Sequence, residues 1–215
     1  MIVSLVGLGG CLASLKEGPI GERGGSYNRQ AWGVHVQTDG VKNGGHLETH
    51  VYFPKTGTGP FSSVVFSPGS PRGMFRPTGF YDAQAKWFTD CGYAVVRPIQ
   101  RGYGRSHGNW SEDCGSCYNS EYVKVELATS HDSLAALDYF SGQGFVDPNL
   151  FVLIEHSEDG LGSAAADSRK PPGVVGFVNF SGGRGSRGSG SNCSPENLVD
   201  ATGRFGRTTT ILNIW

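Results

Sequence analysis

The stretch Leu150-Phe151-Val152-Leu153-Ile154-Glu155-His156-Ser157-Glu158-Asp159-Gly160-Leu161-Gly162-Ser163-Ala164-Ala165-Ala166 is where the chain first shows its architecture. Five bulky apolar residues in a row predict a short strand buried on both faces. The alanine-rich run that closes the stretch favours helix. Between them lies a short polar turn centred on Ser157. Strand, sharp turn with serine at its apex, then helix is the layout of a nucleophile elbow, which lifts a hydroxyl above the carboxyl ends of a parallel sheet. The usual pattern around such a serine is G-x-S-x-G. Here Glu155 and Asp159 stand at the glycine positions, with Gly160 and Gly162 close behind.

Working outward, the pattern alternates between strands and helices. Residues 32–38 and 46–53 alternate apolar and polar side chains, and Asp39-Gly40 and Asn43-Gly44-Gly45 between them supply hairpin chemistry, so an antiparallel pair opens the fold. Residues 16–29, polar and glycine-rich, predict a flexible lead-in. Residues 63–67 and 93–98 are further buried strands around a helix over 81–90, with Ala83, Trp87 and Phe88 one turn apart and Gly92 as its stop. Residues 122–141 form the longest helix, with Val123, Leu127, Leu134 and Leu137 on one face. Residues 174–180 make a strand apolar on both faces, 195–205 a short helix with Ser194 as N-cap, and 208–215 a final strand. The loop of residues 181–192 is rich in Gly, Ser and Arg and predicts an exposed segment. Strands alternating with helices imply βαβ crossovers: an α/β class with a mostly parallel central sheet and helices on both faces.

Composition narrows the function. The chain has 215 residues, room for one substantial core, and a net charge of −1, which gives no reason to expect nucleic acid or an anionic membrane as partner. No segment is long and apolar enough to cross a bilayer. Residues 1–14 are apolar and uncharged like the core of a secretory signal, but no Lys or Arg precedes them. Localisation stays open, with secretion or the periplasm favoured over the cytoplasm. The reading divides the chain into an N-terminal segment, 1–29, and one domain, 30–215. Five cysteines are too few for a disulfide scaffold at this length, yet leave room for one bridge in an exported protein. Cys117 and Cys193, both on loops at the sheet's carboxyl edge, are the expected pair. Cys91, at a helix end, is expected as a buried thiol. Cys114-Gly115-Ser116-Cys117 has neither a preceding strand nor a second ligand pair, so redox and metal roles are set aside; no metal site and no cofactor is expected. The loop Arg101-Gly102-Tyr103-Gly104-Arg105-Ser106 lacks a P-loop lysine and does not open a dinucleotide fingerprint.

Taken together, Gly69-Ser70-Pro71-Arg72 after the third strand, Gly92-Tyr93-Ala94-Val95-Val96, the Arg101 to Ser106 loop, His156-Ser157 and Val178-Asn179-Phe180-Ser181-Gly182-Gly183-Arg184-Gly185 resemble the α/β-hydrolases, most of all their dienelactone-hydrolase-type members. The resemblance runs from Trp32 to the end. It implies a serine hydrolase of ester, lactone or related acyl bonds, with a small-molecule acyl substrate. Ser157 would be the nucleophile, and the oxyanion hole would come from the backbone N–H of Glu158 and a second N–H of the Gly69-Ser70 loop. His156, Arg101 and Tyr103 would line the pocket, Arg101 as a structural tie under its rim. The resemblance also implies that the triad acid and histidine follow Ser157 in the chain, whereas His156 is the last histidine. The expectation is therefore a fold incomplete at its C-terminus and an impaired or inactive enzyme. The alternatives are a non-catalytic relative that keeps the pocket for a small ligand and a relic with no biochemical role. An ordinary polar turn is the simplest account of Ser157 alone; the surrounding motifs favour the nucleophile position. Oligomeric state is not legible.

Overall fold

The structure, a computed structural model, describes residues 15–37, 44–67, 69, 81–157, 160–180, 182, 193–206 and 211–214. Its strands are β1 (Gly18–Gly24), β2 (Arg29–Val36), β3 (Gly45–Tyr52), β4 (Phe61–Ser67), β5 (Ala94–Pro98), β6 (Val146–His156), β7 (Val174–Phe180) and β8 (Ile211–Ile214). Its helices are α1 (Asp82–Asp90), α2 (Tyr122–Ser141), α3 (Gly160–Asp167) and α4 (Pro195–Gly206). Among the described residues the strands form one sheet in the order β1-β2-β3-β5-β4-β6-β7-β8. The first three strands and the β3–β5 pair are antiparallel, and β5, β4, β6, β7 and β8 run parallel.

Period-two alternation assigns the helices to faces. Val65, Val96 and Leu153 pack with Ala136, Leu137 and Phe140 of α2, while their neighbours Val64, Val95 and Ile154 pack with Ala85 and Phe88 of α1. Successive side chains of a strand point to opposite faces. So α1 covers one side and α2 the other, with α3 beside α2, as the class reading required.

Three expectations need correcting. The lead-in of residues 16–29 contains β1, which pairs with β2 through Gly18↔Gly33, Pro19↔Trp32 and Ile20↔Ala31. Its glycines tolerate the positive φ found at Gly18 and Gly21, so a glycine-rich stretch became an irregular edge strand. On α1 the buried residues are Ala85 and Thr89, whereas Trp87 is 62% exposed. On α2 the buried face is Tyr122, Val125, Glu126, Thr129, Ser130, Asp132, Ser133, Ala136, Leu137 and Phe140, so of the four expected residues only Leu137 is fully buried. Polar side chains are tolerated there because several close on their own helix: Thr129 Oγ1 donates to Val125 O (3.2 Å) and Ser130 Oγ to Leu127 O (2.9 Å). The hairpin residues 38–43 and the segment 183–192, with Arg184 and Arg187, lie outside the described residues.

A buried ionic network stiffens the β3–β5 side. Arg97 donates through Nη2 to His50 Nδ1 (2.8 Å), which leaves His50 Nε2 facing Glu48 Oε1 at 3.3 Å. Arg105 donates to Glu48 from both its backbone N (3.0 Å) and its guanidinium (3.0 Å). Burial pushes the Glu48 carboxyl up, but the hydrogen bonds from His50 and Arg105 outweigh it and hold Glu48 down at about 2. Burial pushes His50 down against the pull of Glu48, with Arg97 adding to the depression.

Candidate active site

Ser157 sits where β6 ends and α3 is about to begin. Its φ is +62°, one of five positive values at non-glycine residues among those described. A left-handed serine costs about 1–3 kcal/mol and persists where surrounding packing over-determines it. The packing is visible. Gly69 follows β4, the strand next to β6, and a Cβ built on it would lie 2.5 Å from Ser157 Cβ and 2.6 Å from His156 O. Only a residue without a side chain lets the two loops meet this closely. The serine is half-buried. Glu158 and Ser70, the other members of the expected oxyanion hole, lie outside the described residues.

The glycine that the usual elbow carries two residues before the serine is replaced by Glu155, and the structure shows how it fits. Glu155 is buried, and its side chain runs toward α2 and α3. Ser133 Oγ donates to Glu155 Oε1 at 3.4 Å, and Ser133 shares a 2.8 Å hydrogen bond with Ser67. The room comes from Gly162: a Cβ there would lie 2.7 Å from Thr129 Oγ1 and 3.1 Å from Glu155 Oε2. The bulk absent from position 162 accommodates the bulk added at 155.

His156 turns to the α1 side. Its Nδ1 is 2.8 Å from the hydroxyl of Tyr81, which caps α1 in a left-handed conformation (φ +67°). Burial holds the imidazole below its ordinary value. Both rings border a cavity of about 360 Å³, walled by Phe66, Phe88, Trp87 and Phe180, with Gln84 as a polar member. Phe66, His156 and Phe180 come from the carboxyl ends of β4, β6 and β7, and Tyr81, Gln84 and Phe88 recur at i, i+3 and i+7 along one face of α1. Sequence reasoning named His156 alone of this set. The helical spacing was there to read, but which strand ends lie opposite it depends on the crossed β5-β4-β6 order.

Arg101 and Tyr103 belong elsewhere, which corrects their assignment to this pocket. Arg101 donates through Nε to Asp132 Oδ1 (2.6 Å), through its backbone N to Asp132 Oδ2 (3.0 Å) and through Nη2 to Ala128 O (2.8 Å). It is a tie, but to α2. Tyr103 is buried and donates to Glu112 Oε2 at 2.6 Å. A fully buried Asp132 attracts the nearest guanidinium more strongly than a rim does. The other histidines are likewise remote from the serine. His35, His46 and His107 stack edge to face with centroids 5.9 Å apart, His50 sits in the ionic network and His131 is on α2. Cys117 and Cys193 are bonded to each other. Ser194 Oγ donates to Cys117 O (2.9 Å) and Tyr122 OH to Cys193 O, so the bridge pins the start of α4 to that of α2. Cys91 is a free thiol but exposed, contrary to expectation, because the short α1 presents it past its last turn. Among the described residues no cluster of His, Cys, Asp and Glu could hold a metal ion, and no helix is long and apolar enough to cross a membrane.

The sheet order, the antiparallel start and the serine-bearing turn after β6 define the α/β-hydrolase fold. No family profile matches the chain and no curated protein matches its sequence. Solved structures do match. The α/β hydrolase GrgF from Penicillium sp. sh18 is 20% identical with a TM-score of 0.51, covering 74% of this chain and 48% of that one. The esterase Est22 is 13% identical with a TM-score of 0.50, covering 80% and 49%. A puromycin-hydrolyzing peptidase from Mycobacterium tuberculosis is 19% identical with a TM-score of 0.52, covering 73% and 23%. The chain thus spans about half the length of the first two and less of the third.

Proposed function

We propose that this chain carries the nucleophile half of a serine hydrolase of the dienelactone-hydrolase type, acting on ester, lactone or related acyl bonds. The observation that carries the reading is the positive φ of Ser157 at the β6–α3 junction, with Gly69 seated against it. Ser157 Oγ attacks the acyl carbonyl and gives up its proton to a base. The carbonyl oxygen takes the negative charge and accepts from the N–H of Glu158 and one N–H of the Gly69-Ser70 loop. Two such donors matter, since losing one costs roughly 3 kcal/mol of transition-state stabilisation. The aromatic cavity beside His156 receives the apolar part of the substrate. In this fold's triad order the acid and the base follow the nucleophile in the chain. A serine without an activating base is a poor nucleophile, so turnover depends on that pair.

A second reading is a non-catalytic protein that binds a small apolar or acyl ligand. It is favoured by the engagement of His156, the histidine next to Ser157, with the Tyr81 hydroxyl, and of His50 with Arg97 and Glu48. A fluorophosphonate probe separates the two. Labelling of the folded protein at Ser157, abolished in Ser157→Ala, supports the hydrolase. A folded sample that takes no label, yet binds p-nitrophenyl butyrate without turning it over, supports the binding protein and ends the enzyme reading for this chain.

A further inference from the structure

The loop of residues 101–113, which leads from β5 toward α2, is closed on itself around Tyr103. The Tyr103 hydroxyl donates to Glu112 and accepts from Trp110 Nε1 at 3.0 Å. Gly102, at φ +83°, lets the two limbs touch: a Cβ there would lie 2.4 Å from Trp110 Cα. The indole is therefore anchored by its edge while the residue stays 40% exposed.

Beside that plane lies a depression of about 270 Å³ between the loop and α2, lined by Arg101, Asn109, Trp110, Ser111, Asp113 and Lys124 among others. Its volume falls just below the range that takes drug-sized ligands, which suits a single small ring. Its charges show no positive excess. The Arg101 guanidinium is committed to Asp132 and to Ala128 O, Lys124 is paired with Glu121 at 3.0 Å, and Asp113 contributes a carboxylate. An anion would find no net excess of positive charge there. Ser111 stands in the wall, 9% exposed, with its hydroxyl buried.

An aromatic plane flanked by donors and acceptors of both signs matches one chemistry, a pyranose ring. Its C–H face lies on an indole and its equatorial hydroxyls reach outward to amide, carboxylate and ammonium. We propose that this depression binds a single pyranose, as a free sugar or as the terminal residue of a glycan. The site is independent of Ser157 and stands whether or not the hydrolase reading does.

The test is ligand-observed NMR and tryptophan fluorescence with the methyl glycosides of glucose, galactose and mannose, and with the matching disaccharides. At least one glycoside is expected to bind saturably with a dissociation constant on the order of 1 mM, the range open to one small ring on an exposed face. Trp110→Ala is expected to weaken it at least tenfold and Lys124→Met several-fold, while Tyr118→Ala, at another exposed aromatic, leaves it unchanged. Lys124 is on the surface of α2, so its variant reports on the site even if Trp110→Ala disturbs the loop. Tighter binding of a disaccharide identifies a glycan end as the ligand; equal binding identifies the free sugar. No saturable response to any of these sugars overturns the proposal, as does binding that survives both Trp110→Ala and Lys124→Met at full strength.

Discussion

Gly69→Ala tests the elbow geometry most directly. The added methyl would stand 2.5 Å from Ser157 Cβ, 2.6 Å from His156 O and 3.2 Å from His156 Nδ1. The first two neighbours are backbone or attached to it, at a bend whose serine is already left-handed, so neither swings aside cheaply. Overpacking of this kind costs about 1–3 kcal/mol. At about 2–4 °C per kcal/mol for a chain of this size, the melting midpoint should fall by roughly 2–12 °C. If the bend yields instead, the hydroxyl moves, and a shift near 1 Å at a reacting group can lower reactivity by about 100-fold. Circular dichroism melts and the rate of fluorophosphonate labelling read the two outcomes separately. Gly203→Ala on α4 is the matched control: its Cβ meets nothing within 4 Å, and the helix should gain up to about 1 kcal/mol. A Gly69→Ala protein that melts and labels like the parent would refute the close approach of the two loops, and with it the assigned elbow.

Acid should destabilise the fold in two stages. His46, His50 and His156 are all held below 6.5 by burial first, so their neutral forms stabilise the fold above that pH and the contribution is lost as pH falls below it. Glu48, depressed from 4.5 to about 2, contributes above 4.5 and loses that contribution as pH drops toward 2. Melting midpoints that stay flat from pH 7 to pH 4 would contradict the histidine assignment, and midpoints that stay flat from pH 4.5 to pH 2 would contradict that of Glu48. Reduction of the Cys117–Cys193 bridge, which closes a separation of 76 residues, should remove about 4 kcal/mol by the chain-entropy relation and lower the midpoint by roughly 10 °C. An unchanged melt in a phosphine reductant, with thiols shown free by mass spectrometry, would count against it. Arg101→Met strands the fully buried Asp132 carboxylate and should cost about 3–5 kcal/mol by chemical denaturation, whereas a loss below 1 kcal/mol would mean Arg101 does not carry the tie.

The sheet was legible because its strands announce themselves. Runs such as Val64-Val65-Phe66 and Ala94-Val95-Val96 are apolar on both faces and have no helical alternative at that length. Where the signal was weak, the reading failed for identifiable reasons. β1 is spelled Gly-Pro-Ile-Gly-Glu-Arg-Gly, and its strand character comes from pairing with β2 rather than from its own propensity. The buried face of α2 escaped a hydrophobicity pattern because Asp132, Thr129, Ser130 and Ser133 are buried through hydrogen bonds, which a count of apolar residues cannot register. At the site, the strand–turn–helix spacing put Ser157 at the bend, and the family resemblance rather than any spacing brought the Gly69 loop to it. The aromatic wall could not, since Phe66 and Phe180 are 114 residues apart and meet only through the crossover order. Arg101 was recognised as a tie, but its partner Asp132 lies halfway along α2, on a face that the apolar pattern did not mark.

The exchange of bulk between positions 155 and 162 makes the bend historically contingent. Installing glycine at 155, to restore the common elbow spelling, would not recover a common elbow. It would delete a carboxylate that Ser133 now supports and open a polar void beneath the bend, rimmed by the hydroxyls of Ser67, Thr129 and Ser133 and suited to ordered water. Any lineage that carries Glu155 is thus locked into keeping Gly162 and the serine-rich side of α2 with it, and the three must change together or not at all.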